Sequence, residues 1–287
     1  AAPGREGLVC SHLLLVQVGD EHEEEQDRER PVKHRIGGMA GEDVENALES
    51  ARQAQPRWDL LGGRARADTL EEVATVLTEA FYSLVTLIVR EAGRTLADAI
   101  AEVREAIDFC RYYAHQARQQ FGEPLTLAGP TGEDNRLSLH GRGVLLCISP
   151  WNFPLAIFTG QVAAALAAGN AVIAKPAGQT PLVAALAIQL FHRAGVPGDV
   201  LQLLPGDGKA LGDLLLPDPR IAGVAFTGST ATAHIIQRTL AERNGAIVPL
   251  ITETGGQNVM LVDSTALPEQ VVDDIIRSAF LSAGQRC

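Results

Sequence analysis

Apolar residues return at helical spacing through residues 43–55, 64–90 and 96–120, so the pattern predicts three amphipathic helices in succession. In the third, Ile100, Val103, Ile107, Cys110 and Tyr113 share one stripe, which makes Cys110 a core residue rather than a reactive thiol. Residues 122–135 are rich in turn formers and end the helical region. The period then changes. Residues 136–140 alternate, Gly141-Arg142-Gly143 reads as a turn and residues 144–148 as a buried strand, which together predict a hairpin. Beyond it, short apolar strands at 171–174, 200–203, 222–226, 247–251 and 259–262 alternate with helices starting near Leu155, Thr180, Gly208 and Ser229, and a last helix covers 271–281. Alternation at this spacing predicts an α/β fold: an open, twisted parallel sheet with helices on both faces.

Residues 1–34 stand outside that pattern. A short apolar stretch runs into a dense mixed-charge segment at 19–30, which is expected to be solvated and disordered and has no assigned role. The apolar stretch has one Arg ahead of it and no small-residue cleavage site after it, so no secretory signal is expected.

Composition narrows the classes of function. A length of 287 residues suits one large or two medium domains, and 46% hydrophobic with 21% charged residues is ordinary for a globular chain. The formal charge of −11 argues against a nucleic-acid partner, because phosphate binding needs clustered Lys and Arg. The four cysteines form no CxxC pair and have no His at metal spacing, so no metal site is expected and a reduced, cytoplasmic compartment is the simplest reading. No apolar run reaches the roughly 20 residues that span a bilayer, so no membrane span is expected.

Ligands of open α/β sheets bind beyond the carboxyl ends of the strands, and several suspicious runs fall there. After the strand at 171–174 comes Lys175-Pro176. A Lys fixed by the following Pro can donate to a ribose hydroxyl or a phosphate, although by itself it also reads as a surface Lys before a turn. The strand ending at Phe226 runs into Thr227-Gly228-Ser229-Thr230 and a helix. Gly permits close approach and the helix start offers free N–H groups to a phosphate, while plain N-capping by Ser229 or Thr230 is the alternative. No GxGxxG run is present, so ordinary dinucleotide binding of the Rossmann type is not signalled.

Glu253 precedes Gly255-Gly256 and can reach a water with little steric cover; it is a candidate base. Cys287 is a candidate nucleophile, and Asn152, in Ser149-Pro150-Trp151-Asn152-Phe153-Pro154, is a candidate amide donor to an oxyanion. Taken singly, these are equally a solvated carboxylate, an inert thiol and a turn-forming Asn.

Taken together, the Pro-Trp-Asn-Phe-Pro turn, the Lys-Pro after a strand, Phe-Thr-Gly-Ser, Glu-x-Gly-Gly and Gly-Gln-x-Cys occur in an order that resembles the aldehyde dehydrogenase superfamily from about Arg35 onward. Residues 101–113, 141–151 and 253–258 with 264–274 are similar to the L-glutamate γ-semialdehyde (1-pyrroline-5-carboxylate) dehydrogenases, including the dehydrogenase module of bifunctional PutA. The resemblance implies NAD-dependent oxidation of that semialdehyde to glutamate in proline catabolism. In it Cys287 attacks the aldehyde, Asn152 and the Cys287 amide hold the oxyanion, and Glu253 activates the water that hydrolyses the thioester. Lys175 would bind the adenosine ribose, Gly228 and Ser229 would lie near the pyrophosphate, and Ser149, Pro150 and Trp151 would complete the cofactor site.

The resemblance also implies an NAD-binding domain from residues 35–134 and 149–253, an oligomerisation arm formed by a hairpin at 135–148, and the start of a second α/β catalytic domain at 254–287. A homo-oligomeric parent, possible fusion to a proline dehydrogenase domain, and a chain that is partial and inactive alone are further expectations. Relatives using NAD usually carry Glu where this chain has Gly178, so NADP is not excluded as cofactor. Ala231 and Thr232 replace the Glu and larger aliphatic residue common after Gly-Ser-Thr. Two other readings compete: a non-catalytic nucleotide-binding or vestigial fragment, and a CoA-acylating or esterase-like acyltransferase, which generally lacks a base at the position of Glu253.

Overall fold

A computed structural model describes residues 41–285. The segment 1–34 and the candidate nucleophile Cys287 lie outside the described residues. Helices α1 (Gly41–Leu60), α2 (Gly62–Glu79), α3 (Phe81–Ala92) and α4 (Leu96–Phe121) come first. The single helix expected over 64–90 is two, because the chain bends by 71° between α2 and α3. No Gly or Pro marks the break, and apolar positions stay buried on both sides of it (Leu77, Leu84, Ile88), which is why the periodicity runs through. Thr95 opens α4: its hydroxyl accepts the Asp98 N–H at 3.2 Å and donates to the Asp98 carboxylate at 2.6 Å, a reciprocal cap.

Two short strands follow, β1 (Leu125–Leu127) and β2 (Asn135–Leu137), paired antiparallel. Then come β3 (Val144–Ile148), α5 (Ala156–Ala167), β4 (Ala171–Lys175), α6 (Pro181–Arg193), β5 (Leu201–Leu203), α7 (Gly208–Leu215), β6 (Ile221–Thr227), α8 (Thr230–Ala241), β7 (Leu250–Glu253) and α9 (Pro268–Phe280). Strands β3 to β7 make a parallel five-stranded sheet in the order β5-β4-β3-β6-β7.

Two expectations are corrected. The segment 144–148 does not turn back on 136–140; it is the central strand, with parallel neighbours β4 and β6, and the hairpin lies between β1 and β2. The segment 259–262 is not a strand. Only residues 254–258 separate it from β7, too few for the crossover of a dozen or more residues that a parallel neighbour requires. Its side chains are exposed, Leu261 to 91%.

Side-chain alternation divides the core into two layers. Cys147, Val172 and Ala174 pack with α2 to α6 on one face, while Val144, Leu146, Ala171 and Ile173 pack with α1, α7 and α8 on the other. Helix α5 packs in the first layer and is mostly apolar, with Gln161 its one long polar side chain. After it, Gly169 adopts φ +87°, and Asn170 binds the chain at three points. Its carbonyl oxygen accepts Arg142 N at 2.6 Å and Gly143 N at 3.3 Å, and its amide donates to Ala165 O at 3.1 Å. Helix α9 has no buried residue, and Val272, Ile276 and Phe280 are exposed on it. Among the described residues no single helix is long and apolar enough to cross a membrane.

Candidate functional site

From β3 the chain winds outward through β4 to β5, then returns to the other side of β3 as β6 and continues to β7. The strand order therefore reverses between β3 and β6, and an open α/β sheet leaves a crevice beyond the carboxyl ends at such a point. Register aligns the strand ends there: Ile148 opposes Lys175 on one side and Phe226 on the other, and Thr227 opposes Glu253. A groove of about 1040 Å³ lies over these ends.

Among the described residues, the structure brings together the candidate catalytic and cofactor-binding residues that the sequence singled out. Ser149, Pro150, Trp151, Asn152, Lys175, Gly228, Ser229 and Glu253 all line this groove, together with Gly178, Thr232 and Gln285. Cys287 is outside the described residues, but Gln285 is on the rim and its backbone carbonyl accepts a hydrogen bond from the Asn152 amide at 3.0 Å. The other thiols described are poor nucleophiles. Cys110 and Cys147 are fully buried, and desolvation pushes each up to about 12.

Lys175 is 8% exposed and its ammonium makes one hydrogen bond, to Pro176 O at 3.1 Å. An ammonium has three donors, so this buried cation keeps donating capacity for a ligand in the groove. Burial depresses its pKa, with partial relief from the Asp207 carboxylate. Asp207 was not anticipated from sequence. It caps α7 by accepting Lys209 N at 3.0 Å and Ala210 N at 2.8 Å.

Gly228 gives up its N–H to Glu253 O at 3.1 Å, so its contribution to the groove is room rather than a donor. A Cβ at this position would meet the Phe226 ring at 2.6 Å. The Ser229 hydroxyl is spent on capping α8, accepting Thr232 N at 3.2 Å, and Ser229 and Thr232 both line the groove at the start of that helix. Gln161 ties the two halves of the site together, donating to Ile148 O at 3.2 Å and to the Thr227 hydroxyl at 3.1 Å. Glu253 is exposed at the end of β7, and the following Gly255 and Gly256 leave open space around it.

A second pair of groups missed by sequence reasoning lies beneath the Asn152 turn. The Arg94 guanidinium donates to Asn152 O and sits 4.3 Å from the Phe153 ring centroid. Glu102 accepts Leu155 N at 2.8 Å and Ala156 N at 3.3 Å. Both occupy helical or near-helical positions in a charged stretch, where nothing local signals burial.

One groove thus holds a buried cation beside a small turn, the start of a helix, and the polar side chains of Asn152 and Glu253, a donor set with which a dinucleotide is compatible. Comparison with known proteins shows the family. The family model described as "Aldehyde dehydrogenase family" matches residues 22–287. The chain is 52% identical over 248 residues to "Bifunctional protein PutA" of Escherichia coli (strain K12), covering 85% of this chain and 18% of that protein. It is 37% identical over 247 residues to "1-pyrroline-5-carboxylate dehydrogenase" of Anoxybacillus flavithermus, covering 85% of this chain and 48% of that one. A solved Bradyrhizobium japonicum proline utilization A (PutA) variant superposes with a TM-score of 0.85 at 50% identity, covering 90% of this chain and 27% of that chain. The chain thus spans under a fifth of the first relative and about half of the second.

Proposed function

The chain belongs to the aldehyde dehydrogenase family, and from that premise we propose that it carries the cofactor groove and the first catalytic groups of an enzyme that oxidises L-glutamate γ-semialdehyde to L-glutamate. The observation that supports this reading most is the convergence of Asn152, Lys175, Ser229 and Glu253 on one groove at the reversal point of the sheet. NAD(P), when bound, supplies the hydride acceptor. Lys175 would hold the adenosine ribose and the α8 N-terminus the pyrophosphate.

The remaining chemistry falls to this chain's own residues. Cys287 as thiolate attacks the aldehyde carbon, and the negative charge that develops on oxygen is held by the Asn152 amide. Loss of hydride from the adduct carbon to a bound cofactor would leave a thioester; Glu253 then removes a proton from water, whose oxygen adds to the thioester carbonyl and releases the carboxylate and the thiol. The presence of Glu253 favours this hydrolytic outcome over acyl transfer to CoA. On the same reading a proline dehydrogenase, separate or fused, supplies the substrate, and the assembled enzyme is a homo-oligomer.

The test is NADH production from glutamate semialdehyde by the enzyme that carries this chain and by two variants of it. Glu253→Gln is expected to give a single burst of NADH stoichiometric with enzyme, with the acyl group found on Cys287 by mass spectrometry. Cys287→Ala is expected to give none. Sustained turnover in either variant contradicts the assignment.

A further inference from the structure

We propose that Arg94 and Glu102 are positioning residues for Asn152: together they hold the 152–156 turn from beneath and so set the direction of its side-chain amide. The proposal rests on the reading of Asn152 as the oxyanion donor.

Both charges are withdrawn from solvent, Arg94 to 8% and Glu102 to 1% exposure. Burying a pair of charges is a weak source of stability, and this pair is poorly matched. Arg94 Nε and Glu102 Oε2 stand 4.0 Å apart, and both atoms are buried without a hydrogen-bond partner. What the two side chains do bind is the turn. Arg94 donates to the Asn152 carbonyl and stacks on Phe153; Glu102 Oε1 takes the N–H groups of Leu155 and Ala156. Those amides open α5, where unpaired donors and the helix dipole favour a carboxylate. With the backbone fixed at residues 152, 155 and 156, the Asn152 side chain has only its own rotamers left. It settles on Gln285 O, next to the segment that leads to Cys287. A Lys at position 94 cannot stack flat on Phe153 and reach the carbonyl with a second nitrogen, so the geometry calls for guanidinium.

The groups facing the Glu102 carboxyl are Arg94 from the link before α4, the Leu155 and Ala156 amides from the α5 turn, and Glu105 from its own helix. Desolvation dominates and raises Glu102 to about 7, against the opposing pull of the Leu155 N–H, Arg94 and the Ala156 N–H, with Glu105 adding to the rise. The carboxylate that grips the turn therefore gains its proton near neutral pH, and the grip weakens as pH falls.

The experiment is ¹⁵N NMR of the full chain, following the side-chain amide pair of Asn152, assigned by its loss in Asn152→Asp. In the wild type the pair is expected to shift with a midpoint near the Glu102 value of about 7. Glu102→Gln is expected to abolish that titration, and Arg94→Gln to move or broaden the pair, while backbone amides of β3 to β7 stay in place. Arg94→Lys is expected to restore it only in part. Should Arg94→Gln fail to fold, the wild-type titration and Glu102→Gln carry the test. An Asn152 amide indifferent to pH and to both variants overturns the proposal. In turnover by the enzyme that carries this chain, Arg94→Gln and Glu102→Gln are expected to lower kcat by roughly tenfold to a hundredfold with KM for the dinucleotide unchanged, as for a misplaced catalytic group. Full turnover in Asn152→Ala, with the amide responding as expected, overturns instead the oxyanion reading.

Discussion

Replacing Gly178 by Glu is expected to convert the ribose end of the groove into a site that prefers NAD over NADP. Gly178 is exposed in the turn after Lys175, and a Cβ there would meet nothing within 4 Å, so the side chain enters without displacing its surroundings. A carboxylate accepting from the ribose hydroxyls makes a charged hydrogen bond, worth about 1.5–3 kcal/mol. Solvent exposure argues for the lower end, about 1.5 kcal/mol, or roughly tenfold in Kd. The same carboxylate opposes a 2′-phosphate: at about 4 Å and an effective dielectric of about 20, each unit of like charge costs on the order of 4 kcal/mol before screening. Isothermal titration of both proteins with NAD and NADP reads the two effects separately. The expected outcome is a roughly tenfold gain for NAD and a loss for NADP in Gly178→Glu. Unchanged NAD affinity would refute the reasoning, because it would mean that the ribose does not lie beside residue 178.

Three further outcomes are expected. Lys175→Met should raise Tm while weakening dinucleotide binding by roughly tenfold or more, since desolvation disfavours the buried ammonium and its release removes a binding donor; thermal melts and titration on one preparation check both. Glu102 has its folded pKa raised from 4.5 to about 7, so the folded state holds the proton more tightly and stability falls as pH rises through that window, by about 3 kcal/mol. Urea unfolding across that range should show this slope in the wild type and a flatter one in Glu102→Gln. Gly228→Ala places a Cβ 2.6 Å from the Phe226 ring, which must shift to admit it. A stability loss of about 1–3 kcal/mol with weakened dinucleotide binding is expected, measured by denaturation and titration.

Much of the fold is legible along the chain because the sheet is covered on both faces. Segments such as 171–174 and 222–226 are continuous apolar runs closed by Pro or Gly, and they fold as β4 and β6. The central strand at 144–148 reads as a hairpin arm because a Gly143 turn after alternating residues looks the same whether the partner strand is local or distant. Only the long-range pairing with residues 171–175 and 221–226 decides it. The site was legible where a motif sits at a strand end, as for Lys175, Ser229 and Glu253. It was not legible at Arg94 and Glu102. Glu102 lies in a helical stretch of alternating charge that reads as a solvated face, and its burial is set by the docking of α5 far along the chain.

The most direct test of the central claim is a crystal structure of the protein with a bound dinucleotide. The account predicts the adenosine ribose against Lys175 and Gly178, the pyrophosphate at the N-terminus of α8, and the nicotinamide end between Asn152 and Glu253. A dinucleotide bound elsewhere, or none bound in the groove at saturating concentration, would contradict it.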